Sequence, residues 1–364
     1  MKTSSALRSL RSLPAEPAPV VVGFDGFVDE MISVVAERAS LDAFSQVPDI
    51  ATFGGLISAA AGHSSLREIV VNAVHPGGCA VNLGDGLAAM GVPVDCFATL
   101  GEPAHPAFAE SAARFRKAIS WGREPGRTLA FEFADGKLMF SSVKPLAEFT
   151  PEDISLRLRN GAYQSSCREA AIIALTDWSL YPHMTSVWRM LHSEVYSKLP
   201  HRPHFFIDLV DPSSRSSADI LGMVETLPLL EACGPVTLGL NGNEANILAR
   251  LLGPDPAQDE EGSMRLAAEL RKKIGVSAVV IHKLKFAVSA MSGGEFSTQG
   301  PFCERPLKST GAGDRFNAGY CLGLLSGAAP EECLVLGCAV SGFFVRNAKS
   351  PTREDVAQFL KERD

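Results

Sequence analysis

The sequence alternates short apolar runs with longer stretches of helical periodicity, and this alternation restricts the fold more than any other feature. The apolar runs lie at 20–24, 94–100, 170–175, 204–210, 235–240 and 277–282. The predicted amphipathic helices lie at 79–90, 106–119, 185–199, 243–252, 263–274, 313–325, 331–345 and 353–363. Buried runs that alternate with such helices are typical of βα units on a parallel sheet. We therefore predict an α/β fold.

One segment departs from this alternation. Residues 126–143 contain two β-type runs on either side of Asp135-Gly136, a dipeptide that is typical of hairpin turns. A hairpin inside an α/β chain forms either an edge of the sheet or a lid that closes over a site. We expect a small β lid built from about 126–143, with part of 31–60 as a candidate addition.

The length of 364 residues allows two domains, although single α/β domains also reach this size. No internal repeat or low-complexity linker divides the chain, so we predict one domain over 17–364. The first residues, MKTSSALRSLRSLPAE, contain Ser and Arg and no acidic residue before Glu16. A targeting sequence can share this composition, but no apolar core of signal-peptide type is present. We therefore expect 1–16 to be a flexible tail.

Charge and cysteine content argue against several classes of protein. The net charge of −7 argues against a nucleic-acid partner. No apolar run reaches the roughly 18 residues that a membrane helix needs. The eight cysteines form no CxxC pair and no Cys/His cluster, which indicates free thiols in a reducing compartment rather than a zinc site or disulfide framework. The expected location is cytoplasmic, without membrane association.

The run VVGFDGFVDE at 21–30 places two carboxylates, Asp25 and Asp29, after a predicted buried strand. Two classes of enzyme open in this way. In phosphatases of the haloacid-dehalogenase type, the nucleophilic Asp would fall two residues before Asp25, but that position is Gly23. In one class of sugar kinase, the carboxylate instead binds substrate hydroxyls. The missing nucleophile favours the kinase, although Asp25 has an equal alternative as a turn or cap residue.

The strongest functional signal lies at 307–325, LKSTGAGDRFNAGYCLGLL. Gly311, Ala312 and Gly313 come just before a predicted helix, where small residues leave unpaired backbone N–H groups open to an anion. Asp314 falls in the first turn of that helix, and alone it would be a helix-start residue that complements the dipole. A base beside an anion hole is, however, what phosphoryl transfer to a hydroxyl requires.

These motifs resemble those of the ribokinase (PfkB-type) family of sugar and nucleoside kinases. Residues 311–319, GAGDRFNAG, match its second signature, and 77–82, GGCAVN, match its first. Its Asn-x-x-Glu element is similar to 241–244, NGNE, and its Asp-Pro-x-x-Arg element is similar to 211–215, DPSSR. All occur in the family's order, and the resemblance covers the chain from about Val20. No Walker A motif is present, which excludes the P-loop kinases.

The resemblance implies a three-layer α/β/α sandwich with a mostly parallel central sheet and a small β lid. It implies that Asp314 is the catalytic base and that Gly311, Ala312 and Gly313 form the anion hole. The residues that it implies for the acceptor sugar are Asp29, Asp25, Gly77, Gly78 and Asn82. Of the two aspartates, Asp29 is the better match. The two glycines would let the backbone approach the sugar closely.

For ATP and its metal, the resemblance implies a second set of residues. The nucleotide-binding candidates are Asn241, Lys283, Thr310 and Asn347. Glu244 and Asn241 would hold Mg²⁺ through water, since Mg²⁺ keeps several of its waters. These two residues have an alternative role as a capping pair between a strand and a helix. The chain departs from the family after 277–282, where a glycine-rich turn is usual and Lys-Leu-Lys-Phe stands here.

We therefore predict an ATP- and Mg²⁺-dependent kinase that phosphorylates a hydroxyl of a small sugar or related polyol. Its partners would be the sugar and ATP, and a homodimer is left open. A nucleoside kinase is an alternative, suggested by aromatic residues that could stack on a base: Phe24, Phe27, Phe131 and Phe133. A phosphosugar kinase is another, suggested by basic residues around the hairpin: Arg123, Arg127, Lys137 and Lys144. The intact Asp314 and its glycines argue against a third alternative, a non-catalytic sugar-binding regulator.

The position three residues before Gly311 predicts the ion requirement. Many ribokinase-like enzymes need potassium, which an Asp at that position helps to hold. Here the residue is Lys308, and an ammonium group has three donors and no acceptor. Lys308 either supplies a fixed positive charge in place of the ion or points to solvent. We predict that potassium is not required.

Overall fold

The computed structural model describes residues 2–363. Its strands are β1 Val20–Gly23, β2 Phe27–Arg38, β3 Phe44–Gln46, β4 Ile69–Gly77, β5 Val94–Ala98, β6 Lys117–Ser120, β7 Gly126–Phe133, β8 Gly136–Ser142, β9 Ile172–Leu175, β10 His204–Asp208, β11 Val236–Asn241, β12 Ala278–His282, β13 Phe286–Met291 and β14 Gly294–Gln299. Its helices are α1 Lys2–Ser12, α2 Ile50–Ala59, α3 Cys79–Ala89, α4 Ala109–Arg114, α5 Pro151–Leu158, α6 Ala162–Glu169, α7 Met184–Glu194, α8 Ser217–Val224, α9 Leu227–Cys233, α10 Gly242–Leu252, α11 Glu260–Ile274, α12 Ala312–Leu325, α13 Pro330–Asn347 and α14 Arg353–Lys361. Short 3-10 helices lie at Pro106–Phe108, Lys144–Glu148, Tyr196–Lys198 and Pro212–Ser214.

A nine-stranded sheet forms the centre of the molecule, in the order β14-β13-β12-β11-β10-β9-β1-β5-β6. Neighbours from β12 to β6 pair in parallel, and β13 and β14 add an antiparallel edge. Side chains alternate between the two faces, so that Val21 joins one apolar core while Val20 and Val22 join the other. Helices α5–α11 supply the first core and α1, α3 and α12–α14 the second. The predicted α/β sandwich with a mostly parallel sheet is confirmed.

A second sheet is built from β3, β2, β7 and β8, with β4 paired to β2 along its other edge. It contains the predicted hairpin, since β7 and β8 pair across the turn at Asp135. It is larger than 126–143, because β2 and β3 lie within 27–46 and α2 covers part of the same sheet. Its own core is small: Val34, Val47 and Phe53 are its buried members. We call this five-stranded sheet with α2 the lid.

The N-terminal segment differs from the expected flexible tail. Residues 2–12 form helix α1, in which Ala6 and Leu10 are buried against the second core together with Leu13. The spacing of these residues gives the helix one apolar stripe, and the burial of that stripe stabilises it. Ser9 Oγ donates to Glu332 Oε2 at 2.6 Å and so links α1 to α13.

Two other stretches differ from the sequence prediction. The predicted helix at 106–119 is a 3-10 turn and the short helix α4, followed by strand β6 at its C-terminal end. The hairpin β13–β14, which lies between the predicted strand at 277–282 and the predicted helix at 313–325, was not predicted. Among the described residues, no helix is long and apolar enough to cross a membrane.

Candidate active site

The carboxyl ends of the parallel strands carry a group of buried acidic side chains. Asp25 follows β1, Asp177 follows β9, and Asp208 ends β10, while Glu244 lies in the first turn of α10 after β11. Carboxyl ends of parallel strands meet at one edge of a sheet, which is where α/β proteins bind ligands. Burial raises the pKa of each of these carboxyl groups, that of Asp208 to about 6, and repulsion from neighbouring carboxylates adds to the increase at Asp177, Asp208 and Glu244.

Helix α12 begins at this edge. Gly311 adopts a left-handed conformation with φ of 84°, which turns the chain into the helix. The amide of Ala312 donates to the Ser309 carbonyl at 3.1 Å, whereas the amides of Gly311 and Gly313 have no acceptor among residues 2–363. The predicted anion hole therefore has two unpaired donors, the amides of the two glycines. The Ala312 amide is instead bonded within the turn that begins the helix.

Asp314 lies in the first turn of α12, where it is only 7 % exposed. Its Oδ2 accepts a hydrogen bond from Asn82 Nδ2 on α3 at 2.9 Å. Burial raises the pKa of Asp314 to about 7, the negative charge of Asp208 adds to the increase, and Arg315 opposes it. A carboxyl group with a pKa near neutrality is suited to accept a proton.

The two aspartates near the start of the chain have different environments. Asp25 is 1 % exposed, and its Oδ1 accepts from the Ala80 amide at 2.9 Å and from Thr176 Oγ1 at 2.6 Å. Its Oδ2 accepts from the Cys79 amide. Both oxygens are therefore used to cap helix α3, and these contacts favour the capping role over a contact with the sugar.

Asp29 lies on the lid strand β2, opposite His75 of β4. A Cβ atom on Gly77 would come within 2.5 Å of Asp29 Oδ2, so the glycine leaves room for this carboxylate. Burial raises the pKa of Asp29, while Thr128 and the positive charges of Lys308 and Lys137 oppose the increase. Asp29 is the aspartate whose carboxylate faces the lid side of the site.

The second glycine of the GGCAVN motif has a separate function. Gly78 adopts a φ of 97°, and a Cβ atom there would meet the Asp25 carbonyl oxygen at 2.6 Å. We expected both glycines to permit close approach of a sugar. In the structure they leave room for protein atoms, which are the Asp29 side chain beside Gly77 and the backbone of Asp25 and Gly26 beside Gly78. Close approach of a sugar to these glycines stays a prediction.

Asn241 and Glu244 form the capping pair that the sequence left as an alternative. Asn241 Oδ1 accepts from the Glu244 amide at 3.0 Å, and the Asn241 amide donates to Glu244 Oε2 at 2.8 Å. Asn241 Nδ2 also donates to Glu244 Oε1 at 2.6 Å. Both oxygens of Glu244 are thus engaged, and no group of His, Cys, Asp or Glu in the described chain could hold a metal directly. Any contact of this pair with a magnesium ion would therefore have to pass through water.

A cavity of about 660 Å³ opens beside the start of α12. Its lining is largely apolar and includes His282, Lys283, Phe286, Phe302 and Gly313. Burial lowers the pKa of His282 to about 4, which keeps the ring neutral. An apolar cleft next to open backbone donors can hold a flat base with its phosphates toward the helix.

Of the four residues predicted to bind the nucleotide, two line this cavity and two do not. Asn241 and Lys283 line it, and Lys283 Nζ also donates to the Ala257 carbonyl at 2.9 Å. Thr310 lies outside the lining, and its Oγ1 accepts from Lys137 Nζ of the lid at 3.4 Å. Asn347 is exposed and also lies outside the lining. Its side-chain amide donates to the carbonyl oxygen of Phe343 in the same helix at 2.9 Å.

Sequence reasoning missed several members of the site. Asp177 follows the apolar run at 170–175, so the strand-end signal that identified Asp25 would also have found it, whereas Asp208 lies inside the run at 204–210. Asn317 donates to Asp208 Oδ2 at 2.6 Å, one helical turn after Asp314. Asp85 and Arg315 form a buried ion pair at 3.0 Å, and no local pattern indicates their pairing because they are far apart in sequence.

Comparison with known proteins identifies the family of this chain. A family model of prokaryotic ketohexokinases matches residues 2–363. The ketohexokinase of Haloferax volcanii is 29% identical over 343 residues, covering 93% of this chain and 90% of that protein.

Solved structures show the shared fold. The ribokinase of Thermotoga maritima superposes with a TM-score of 0.65 at 15% identity, over 95% of this chain and 99% of that one. An Arabidopsis thaliana ribokinase complexed with ribose and ATP has a TM-score of 0.63 at 17% identity, with the same coverage of 95% and 99%. The chain therefore belongs to the prokaryotic ketohexokinase family, and it is an ATP-dependent carbohydrate kinase of the ribokinase (PfkB) type.

Proposed function

We propose that this kinase transfers the γ-phosphoryl group of ATP to a hydroxymethyl group of a ketohexose, with Asp314 as the base and the start of α12 as the anion hole. The observation that carries the proposal is the hydrogen bond of 2.9 Å between Asn82 and Asp314. It joins the motif assigned to the sugar to the carboxylate assigned to catalysis, next to the cavity that suits a nucleotide. The ketohexose is inferred from the family and the Haloferax volcanii relative.

The chemistry follows from the position of each group. The hydroxyl oxygen of the sugar attacks the γ-phosphorus, and Asp314 accepts the proton of that hydroxyl. ADP departs with the electrons of the broken P–O bond. The open amides of Gly311 and Gly313 stabilise the charge on the transferring group. Because the base must be ionised and the pKa of Asp314 is about 7, kcat should fall as the pH decreases below about 7.

Asn241 and Glu244 would hold a magnesium ion at the acidic edge of the site, through water. When bound, the ion would neutralise phosphate charge. Within the protein, the capping pair fixes the orientation of Glu244, since each of its oxygens accepts a hydrogen bond from Asn241.

Two alternatives receive less support. For a nucleoside, Phe24 is buried against Trp121, with ring centres 5.2 Å apart, and Phe131 and Phe133 pack on Phe53 within the lid. These rings already have partners and are not presented to a base.

For a phosphosugar, the basic residues do not converge on one point. Arg127 pairs with Glu30 at 2.7 Å, while Arg123 and Lys144 are exposed. Lys137 approaches the site through Thr310, and it also pairs with Glu132 at 3.0 Å.

The test is an ATP-consumption screen with ketohexoses, aldohexoses, pentoses, nucleosides and sugar phosphates at equal concentration. We expect the highest kcat/KM with a ketohexose, and Asp314→Asn serves as the inactive control. A nucleoside or phosphosugar that exceeds every ketohexose would contradict the acceptor class. Binding of sugars without turnover of ATP would instead support a regulator.

A homodimer is also proposed, with the lid as its contact. The lid exposes several apolar side chains, which are Ile69, Val71, Val74, Met139 and Phe140. Apolar patches of this kind often mark protein contacts. Light scattering after size-exclusion chromatography measures the assembly, and a monomer at all concentrations would exclude this proposal.

A further inference from the structure

Arg315 is the only Lys or Arg side chain that is buried in the described part of the chain, with 6 % exposure. It follows the base Asp314 directly and lies in the first turn of α12. Burial of a guanidinium group is costly unless partners compensate the charge. Its position next to a group of buried carboxylates therefore requires an explanation.

The partners of Arg315 hold the guanidinium group in one orientation. Nη2 donates to Asp85 Oδ2 at 3.0 Å, and Nε donates to Ser350 Oγ at 3.1 Å. Ser350 Oγ in turn donates to the same oxygen of Asp85 at 2.7 Å. The guanidinium carbon lies 4.6 Å from the centre of the Phe344 ring, in cation–π geometry.

The third nitrogen of the guanidinium group points to the anion-hole loop. A Cβ atom on Gly311 would lie 3.1 Å from Arg315 Nη1 and 3.4 Å from Asn82 Nδ2. Among residues 2–363, Nη1 has no hydrogen-bond acceptor, although the other two nitrogens are paired. The unpaired side of the cation thus faces the glycine that opens the anion hole.

Asp85 does not cancel this charge completely. Its other oxygen, Oδ1, accepts a hydrogen bond from Arg114, so one carboxylate serves two guanidinium groups. Arg114 approaches from the outer side and is 40% exposed, where solvent screens its charge. On the inner side, Arg315 remains a source of positive potential.

We propose that Arg315 is a positioning residue that supplies a fixed positive charge behind the anion hole, favouring ionised Asp314 and the incoming phosphoryl group. This inference rests on the proposed function of Asp314 and the glycines. It gives Arg315 the role that the sequence suggested for Lys308, which is to supply a fixed positive charge in place of a potassium ion. Lys308 is less suited, since it is only partly buried and its charge acts on Asp29.

A purely structural role is the competing explanation, because the Asp85–Arg315 pair also connects α3 to α12. Four variants separate the two: Arg315→Gln, Arg315→Lys, the double variant Asp85→Asn/Arg315→Gln, and the control Arg114→Gln. The double variant removes both buried charges and so avoids an unpaired carboxylate. The control removes the other arginine that contacts Asp85, away from the anion hole.

The readouts are kcat, Tm and the pH dependence of kcat. Asp314 shares its surroundings with Asp25, Asp177, Asp208 and Glu244 on the strand and helix ends, and with Cys79 and Asn82 on α3. The positive charge of Arg315 lowers the pKa of Asp314, whereas the acidic neighbours raise it. Its loss should raise the pKa of Asp314 and shift the acidic limb of kcat by about 1 pH unit to higher pH.

We expect Arg315→Gln and the double variant to lose at least about tenfold in kcat and to show the shifted limb, whatever their Tm. Arg315→Lys should keep the limb near its original pH, and Arg114→Gln should leave kcat and the limb unchanged. A double variant with normal kcat and an unshifted limb would leave Arg315 with a structural role only. If Arg315→Gln does not fold, the lysine and double variants decide the question. Activity retained in Asp314→Asn would instead refute the proposed base itself.

Discussion

The two sides of the active site are built in different ways. The side formed by the sheet edge and α12 is buried: Asp314, Arg315 and Asn317 each have less than 8 % exposure. The lid side depends on Asp29, which lies on a strand of a sheet with a small core of its own. The residues proposed for catalysis and the residue proposed for acceptor recognition therefore lie in parts of the molecule with differently sized apolar cores.

The energetic basis of this difference is the number of buried apolar side chains. Each fully buried large apolar side chain contributes about 1.5–3 kcal/mol. The two cores on either side of the central sheet bury dozens of residues, whereas the separate apolar cluster of the lid has three buried members, Val34, Val47 and Phe53. Regions with few buried contacts open at a lower free energy than the core. We therefore expect changes on the sheet side to affect turnover, and changes in the lid to affect recognition.

The largest effect is expected for Asp314→Asn. Asn is nearly isosteric and can still bond to Asn82, but it cannot accept the proton. Loss of a general base lowers kcat by about 10²–10⁴-fold. Steady-state kinetics and Tm are the measurements, and an unchanged Tm is expected. A variant that keeps more than about a tenth of wild-type kcat would remove Asp314 from the mechanism.

Asp29→Ala should affect the acceptor and leave the nucleotide unchanged. Hydrogen bonds to a charged group contribute about 1.5–3 kcal/mol, so kcat/KM for the sugar should fall about 10- to 100-fold. The KM for ATP should not change. Asp42→Ala, which alters an exposed carboxylate between β2 and β3, is the matched control. An effect confined to ATP would contradict the assignment of the lid to sugar recognition.

Hydrogen exchange tests whether the lid moves. On addition of the acceptor, amides of β7 and β8 should exchange several-fold more slowly, since closure excludes water from the site. The hairpin β13–β14 belongs to the central sheet and serves as an internal control. If protection in 126–143 stays constant with a sugar that is turned over, the hairpin is a fixed part of the fold.

The smallest effect is expected for potassium. Activity should be equal in potassium, sodium and tetramethylammonium buffers of matched ionic strength, because Lys308 occupies the position of a ligand and cannot bind a cation. Lys308→Ala should change kcat by less than about threefold, since Arg315 supplies the buried charge. Strong activation by potassium alone would refute the prediction. A large loss of kcat in Lys308→Ala would indicate that Lys308, and not Arg315, supplies the fixed positive charge.

The sequence predicted six of the nine strands of the central sheet, β1, β5 and β9–β12, because buried parallel strands produce continuous apolar runs. It missed the short edge strand β6 and the antiparallel hairpin β13–β14. The lid was harder to predict: β4 is largely exposed, so its residues carry no strong periodic signal. Sequence motifs identified Asn82 and Asp314 individually, but their contact joins residues 232 positions apart and requires the fold. The choice between Asp25 and Asp29 also depended on the fold, because capping of α3 by Asp25 is a tertiary contact.

Helix α1 has a consequence for the order of synthesis. Its apolar residues, with Ala6 and Leu10 among them, pack against elements that include α13 and α14, and Arg353 Nη1 donates to the Pro14 carbonyl at 2.9 Å. The ribosome makes residues 2–12 long before residues 330–361, so this apolar stripe lacks its final partners during most of translation. The N-terminal helix therefore cannot complete its native packing until α13 and α14 have been made, and a nascent chain that stops before α13 leaves this apolar stripe without its native partners.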